Sequence, residues 1–138
     1  MIDAVCGFMF SPDRSSVALI RKNRPEFQAG KLNGIGGKIE PHEHPLRAMV
    51  REFFEETGVR TEMYDWIRFI ELDSPDWKVT FYKSFGDLSE LQSMTDEKIE
   101  IINVKSLQQA NTLRNLQWMI PLCLDDSKYV FPLQVREK

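Results

Sequence analysis

The sequence predicts an α+β fold, an α-β-α sandwich built around a mixed β-sheet, and three observations carry that expectation. Aromatic and β-branched runs recur between turn sequences, two apolar stripes repeat at helical spacing, and most of the strand-like runs are joined as hairpins. A length of 138 residues fits one domain over 1–138, and 42% hydrophobic with 11% aromatic residues can bury a real core. No repeat, linker or low-complexity tract interrupts the chain.

Ile2 to Phe10 is rich in Val, Phe and Met and stops at Ser11-Pro12-Asp13, and Val17 to Ile20 follows as the second arm of a hairpin. A basic stretch (Arg21, Lys22, Arg24) then leads past Gly30 into the cluster Gly34, Gly36, Gly37, a loop suited to close backbone approach. Pro45 stands where a first helical position favours it, and Leu46, Met49, Val50, Phe53 and Phe54 recur at helical spacing. Gly58 can cap the end, so a helix spans about 45–57. Met63 to Leu72 and Trp77 to Phe85 form a second hairpin across Asp73-Ser74-Pro75-Asp76. Ile99 to Val104 is a further strand. Leu113, Leu116, Ile120 and Leu124 mark a second helix, ended by a turn at Asp125-Asp126. Tyr129 to Val135 closes the chain as a strand that Pro132 confines to an edge.

Charge and cysteine content narrow the function. Lys plus Arg total 18 against 21 Asp plus Glu, a formal net charge of -3, so the basic excess that grips a nucleic-acid backbone is missing. Cys6 and Cys123 lie far apart among apolar neighbours and read as buried free thiols, which fits a reducing, cytoplasmic setting. No apolar run approaches the roughly 18 residues of a membrane span, and the N-terminus lacks the basic start and long apolar stretch of an export signal. His42-Glu43-His44 lacks the spacing of a zinc-protease helix, and its histidines read as exposed or capping.

The first helix separates its chemistry cleanly. With Glu52 at zero on a wheel of about 100° per residue, Glu56 falls near 40° and Glu55 near -60°, while the apolar side chains occupy roughly 60° to 200°. Three carboxylates at i, i+3 and i+4 repel one another and, near a helix C-terminus, also oppose the macrodipole. A hard divalent cation removes that conflict, since Mg²⁺ and Ca²⁺ prefer carboxylate oxygen and Mg²⁺ readily shares its shell with water and phosphate. The plain alternative is a solvated acidic face. Gly34-Ile35-Gly36-Gly37 brings main-chain groups close to a metal or phosphate, and Arg51 faces back from the acidic face toward Glu43.

Gly37, five residues, Glu43, seven residues and then Arg51-Glu52-Phe53-Phe54-Glu55-Glu56-Thr57-Gly58-Val59 resembles the Nudix box at all nine of its fixed positions within 23 residues. The order of the remaining strands and helices extends the resemblance to Nudix hydrolases over essentially the whole chain. It implies a Nudix-like α-β-α sandwich with a mixed β-sheet whose loop-helix-loop binds divalent metal, Mg²⁺ with Mn²⁺ as a substitute. The implied reaction is hydrolysis of a nucleoside diphosphate linked to another group. By resemblance Glu52, Glu55 and Glu56 hold metal, the Gly36 carbonyl adds a ligand, and Gly37, Glu43, Arg51 and Gly58 shape the box. Glu97 resembles the extra acid that related enzymes bring from outside the box as ligand or general base, a role it shares here with Glu55. Metal, on this reading, neutralises the polyphosphate, polarises a phosphoryl oxygen and activates water.

Asn33-Gly34-Ile35-Gly36-Gly37-Lys38 is similar to the segment of MutT-type triphosphatases in which the Asn bonds the base, so the implied substrate is a (d)NTP or oxidised purine (d)NTP, cleaved to nucleoside monophosphate and pyrophosphate. Members that read 8-oxoguanine carry an aspartate pair before the second helix, where this chain has Arg114-Asn115. Oxidised-base specificity therefore stays open. Asn115 is a candidate base reader, Arg21, Lys22 and Arg24 are candidate phosphate contacts, and Trp118 is assigned to the core ahead of the pocket wall. The alternatives are hydrolysis of ADP-ribose, a dinucleoside polyphosphate or a 5′-triphosphate RNA end, or a nucleotide sensor without turnover. The expected partner is a small nucleotide, with no membrane or strong nucleic-acid binding, and the protein acts as a monomer or homodimer.

Overall fold

The computed structural model describes residues 1–125 and 132–137, which form one mixed sheet with helices on both faces. The strands are β1 (Ile2–Phe10), β2 (Ser16–Arg21), β3 (Leu32–Asn33), β4 (Ile35–Lys38), β5 (Ile67–Asp73), β6 (Trp77–Phe85), β7 (Lys98–Asn103) and β8 (Leu133–Arg136). The helices are α1 (Pro45–Thr57) and α2 (Leu116–Cys123). The sheet runs β3-β2-β1-β6-β5-β8, with β4 added to β1 and β7 to β2. Central β1 pairs β6 in parallel from Ile2–Trp77 to Phe10–Phe85 and β4 antiparallel from Ala4–Lys38 to Gly7–Ile35. This is the predicted α+β class, and both hairpins form, β1 with β2 and β5 with β6.

The period of two along β1 builds both layers. Val5 and Met9 pack under α1 with Met49, Phe53, Trp66 and Tyr82, whereas Cys6, Phe8 and Phe10 pack under α2 with Phe81, Leu116, Met119 and Ile120. α1 begins where the sequence places it, with His44 Nδ1 accepting the Leu46 N–H at 3.1 Å and Pro45 following. It ends at Gly58, whose φ of 77° is the left-handed conformation that glycine adopts without strain, and whose N–H donates to the Phe54 carbonyl at 2.8 Å.

Four expectations change. Met63–Asp65 is a single 3-10 turn rather than strand, because the Asp65 carboxylate accepts the Glu62 N–H at 2.8 Å and bends the chain before β5. The Leu113 N–H donates to the Leu32 carbonyl, which ties that residue to β3 and delays α2 until Leu116. Phe54 is 37% exposed, with the Arg60 guanidinium 4.3 Å from its ring centre, so the apolar arc of α1 is narrower than the wheel suggests. Trp118 is 43% exposed and lines a cavity instead of the core. The residues 129–131 of the expected last strand, and Asp126 of the expected turn, lie outside the described residues. Among the described residues no helix is long and apolar enough to cross a membrane.

Phe53 is fully buried and meets the Trp66 ring edge-on at 5.1 Å. Phe53→Ala should therefore cost about 3–5 kcal/mol in urea unfolding; an unchanged midpoint would mean that this ring does not anchor α1.

Candidate active site

The site is assembled on β4. Gly36 has no room for a side chain, since a Cβ there would stand 2.0 Å from the Val5 carbonyl oxygen; one on Gly37 would stand 2.5 Å from Glu52 Oε1 and displace that carboxylate. The second distance shows that α1 lays the Glu52 carboxylate directly on the Gly37 backbone.

Arg51 gathers the surrounding acids. Its Nε and Nη2 donate to the two oxygens of Glu43 at 2.8 and 2.9 Å, its Nη1 donates to Glu52 at 2.9 Å and to Glu55 at 3.3 Å, and Nη2 also reaches the Lys38 carbonyl at 3.1 Å. The two-pronged Arg51 contact holds the Glu43 carboxyl below its ordinary value against the smaller opposing effect of burial. Glu52 is pushed up by burial, which Arg51 only partly offsets, and Glu55 and Glu43 add like-charge repulsion. Glu56 is also pushed up by burial, partly offset by the Thr95 hydroxyl donating at 3.2 Å and by the Lys22 charge, with Glu52 and Glu97 opposing.

Glu97 is nearly completely buried and holds the loop that follows β2. It accepts from Lys22 Nζ at 2.8 Å, the Asn23 N–H at 2.6 Å and the Arg24 N–H at 3.3 Å. Burial raises its carboxyl, but these donors outweigh burial and leave it below its ordinary value. The solvated loop position that its neighbours Thr95 and Asp96 suggest is therefore not the one found.

Beside β4 opens a cavity of about 970 Å³ bordered by Gly36, Gly37, Asn33, Asn115, Lys22 and Arg24. Lys38 and Arg114 add two cations to its rim, Glu137 adds an anion, and Trp118 and Phe27 stand exposed beside it. Arg24 also pairs with Asp96. Arg21 departs from the rest of the basic run. It belongs to β2 and lies diagonal to Glu100 on β7, so its Nε and Nη2 are engaged by that carboxylate at 2.7 Å, and it does not border the cavity. Cys6, read from the sequence only as a buried thiol, forms part of the cavity wall. Thr95, Gln28 and Phe27 are not singled out by the sequence either: Phe27 and Gln28 stand in the single 3-10 turn Glu26–Gln28 and Thr95 in a loop, neither carrying periodicity, and only the glycine at 30 hints that the chain turns back after Gln28.

Hard carboxylate oxygens on a half-buried helix face, with a backbone cradle that excludes any Cβ, fit a divalent cation in donor chemistry. Among the described residues no three acidic, histidine or cysteine side chains close on one point. Arg51 engages Glu43, Glu52 and Glu55, Thr95 engages Glu56, and Lys22 engages Glu97.

The chain belongs to the NUDIX domain family, whose model matches residues 2–121. It is 31% identical over 70 residues to the 8-oxo-dGTP diphosphatase of Escherichia coli (strain K12), a match covering 51% of this chain and 54% of that protein, so the chain spans about half the length of this curated relative. Its fold is similar to a MutT structure from work on Aliivibrio salmonicida and Vibrio cholerae, with a TM-score of 0.75 at 21% identity, covering 88% of this chain and 94% of the other. The Nudix domain of Shewanella oneidensis NrtR complexed with ADP ribose aligns with a TM-score of 0.74 at 15% identity, covering 90% and 86%. At these identities the structural likeness concerns the fold. Nudix hydrolases as a family use divalent metal ions.

A depressed Glu43 carboxyl contributes stability that is present above its ordinary value of 4.5 and lost as pH falls through the lower folded value. In metal-free buffer Glu43→Gln should cost about 1–2 kcal/mol at neutral pH and should lose less stability than the wild type on acidification below 4.5. Parallel pH profiles in thermal unfolding would contradict the Arg51–Glu43 account.

Proposed function

We propose that this chain, as a single domain over 1–138, is a Mg²⁺-dependent pyrophosphohydrolase of nucleoside triphosphates, with Mn²⁺ as a substitute, acting in the cytoplasm. The observation that supports this reading most directly is that Gly37 borders two things at once, the carboxylate row of α1 and the cationic cavity. The named 8-oxo-dGTP diphosphatase relative points the same way.

Glu52, Glu55 and Glu56 would hold the metal beside the Gly36 backbone, and a bound divalent cation supplies charge neutralisation and a water of lowered pKa there. Lys22, Arg24, Lys38 and Arg114 set positive charge along the cavity and draw the polyphosphate into a chain whose net charge is -3. Asn33 and Asn115 face the nucleoside end and fix which phosphorus lies against α1. Glu55 would accept a proton from water, a reading supported by its being the most exposed acid of the row and held by Arg51 only at 3.3 Å or more. Glu97, with both oxygens occupied by the 22–24 loop, keeps Lys22 and Arg24 at the cavity. A second reading, ADP-ribose hydrolysis, draws on the NrtR domain bound to that ligand.

The test is a panel of (d)NTPs, oxidised purine dNTPs, ADP-ribose and dinucleoside polyphosphates compared by kcat/KM with Mg²⁺. A triphosphate should give nucleoside monophosphate and pyrophosphate, and ¹⁸O-water should label one of them; orthophosphate as the first product would refute the reading. Glu56→Gln should lower kcat about hundredfold or more with unchanged circular dichroism. Full activity in that variant would remove Glu56 from the metal site.

A further inference from the structure

One corner of the cavity offers hydrogen bonds of a single sense. Asn33 Oδ1 accepts the Gly34 N–H at 2.8 Å and the Cys6 thiol at 3.8 Å. A backbone N–H can only donate, so this contact distinguishes the amide oxygen of Asn33 from its nitrogen. Asn33 Nδ2 donates to Gln28 Oε1 at 3.3 Å. The Asn33 oxygen is thereby engaged by two donors, and the Gln28 oxygen by one. The second hydrogen on Asn33 Nδ2 and the amide hydrogens of Gln28 have no partner among the described residues, and both side chains border the cavity.

Cys6 completes this arrangement. It lies on β1, is 6% exposed, and its S–H is directed at Asn33 Oδ1 as a donor. Gly34 leaves no slack beside it, because a Cβ there would come within 2.5 Å of Cys6 Sγ and 2.7 Å of the Phe8 ring. Cys6, Gly34 and Asn33 are therefore packed as a unit, and the Asn33 amide cannot turn over without setting its NH₂ group against two donors.

We infer that Cys6 is a specificity-positioning residue: with the Gly34 N–H it fixes the Asn33 amide so that its remaining N–H faces the cavity as a donor, and the nucleotide that binds turns a ring carbonyl toward it. The inference rests on the nucleotide-hydrolase reading and refines it. Inosine and uracil nucleotides carry a carbonyl where adenine and cytosine nucleotides carry an amino group. An amino group opposite the Asn33 N–H would set donor against donor and leave both unpaired.

The test compares kcat/KM for ITP against ATP and for UTP against CTP, together with calorimetric binding of IMP and AMP. The wild type should favour the carbonyl member of each pair by about tenfold or more. Cys6→Ser keeps a donor and should keep that ratio, whereas Cys6→Ala should move it toward one with its melting temperature recorded alongside. Asn33→Asp, which exchanges the donor for an acceptor without touching Cys6, should abolish or reverse the preference. A wild-type ratio near one, or a ratio unmoved in Cys6→Ala, overturns the inference while leaving pyrophosphate release, and so the proposed activity, intact. Should no triphosphate be hydrolysed, the activity fails, and IMP binding tighter than AMP in the wild type but not in Cys6→Ala still supports the positioning role. Equal binding, or none, overturns it.

Discussion

Everything in the site depends on one cation among like charges. Glu43, Glu52 and Glu55 all turn their oxygens toward the Arg51 guanidinium, which also reaches the Lys38 carbonyl at the end of β4. A row of carboxylates on one helix face opposes both itself and the helix dipole. Arg51 makes the row tolerable and, through Glu43 and Lys38, fixes how α1 sits on the glycine strand. The remaining strain is visible in Glu52 and Glu56, whose carboxyls burial pushes up despite Arg51 and Thr95.

The sheet divides the labour. β1 sends Val5 and Met9 to the α1 side and Cys6 to the α2 side, so the helix carrying the acids and the cavity carrying the amides are anchored by alternate residues of one strand. β4 joins the two, because Gly37 touches the acid row and borders the cavity while its neighbour Gly36 leaves no space for a side chain against β1. A side chain at Gly37 would displace the Glu52 carboxylate from the strand, and one at Gly36 would push β4 away from β1.

Much of this was legible in the sequence because it is local. The extent of α1, its cap at Gly58, the two hairpins and the spacing from Gly37 through Glu43 to Glu56 follow from periodicity and short-range chemistry. What was not legible depends on pairing across the chain. Nothing in the basic run shows that Arg21 meets Glu100 while Lys22 meets Glu97, since the antiparallel pairing of β2 with β7 decides it. The exposure of Trp118 depends likewise on which face of α2 the sheet takes up, Leu116, Met119, Ile120 and Cys123 being the buried ones. Gln28 meets Asn33 beside the cavity through a contact five residues back along the chain that no periodicity announces.

The proposed role of the α1 acid row is to bind a divalent cation, beside the Arg51 guanidinium that gathers Glu43, Glu52 and Glu55. Melting temperature with and without Mg²⁺, in the wild type and in Glu52→Gln/Glu55→Gln/Glu56→Gln, tests this most directly, because a ligand that binds only the folded state raises its stability by mass action. The account predicts a Mg²⁺-dependent rise in the wild type and none in the triple variant. An equal rise in both proteins, or no rise in either, would contradict it.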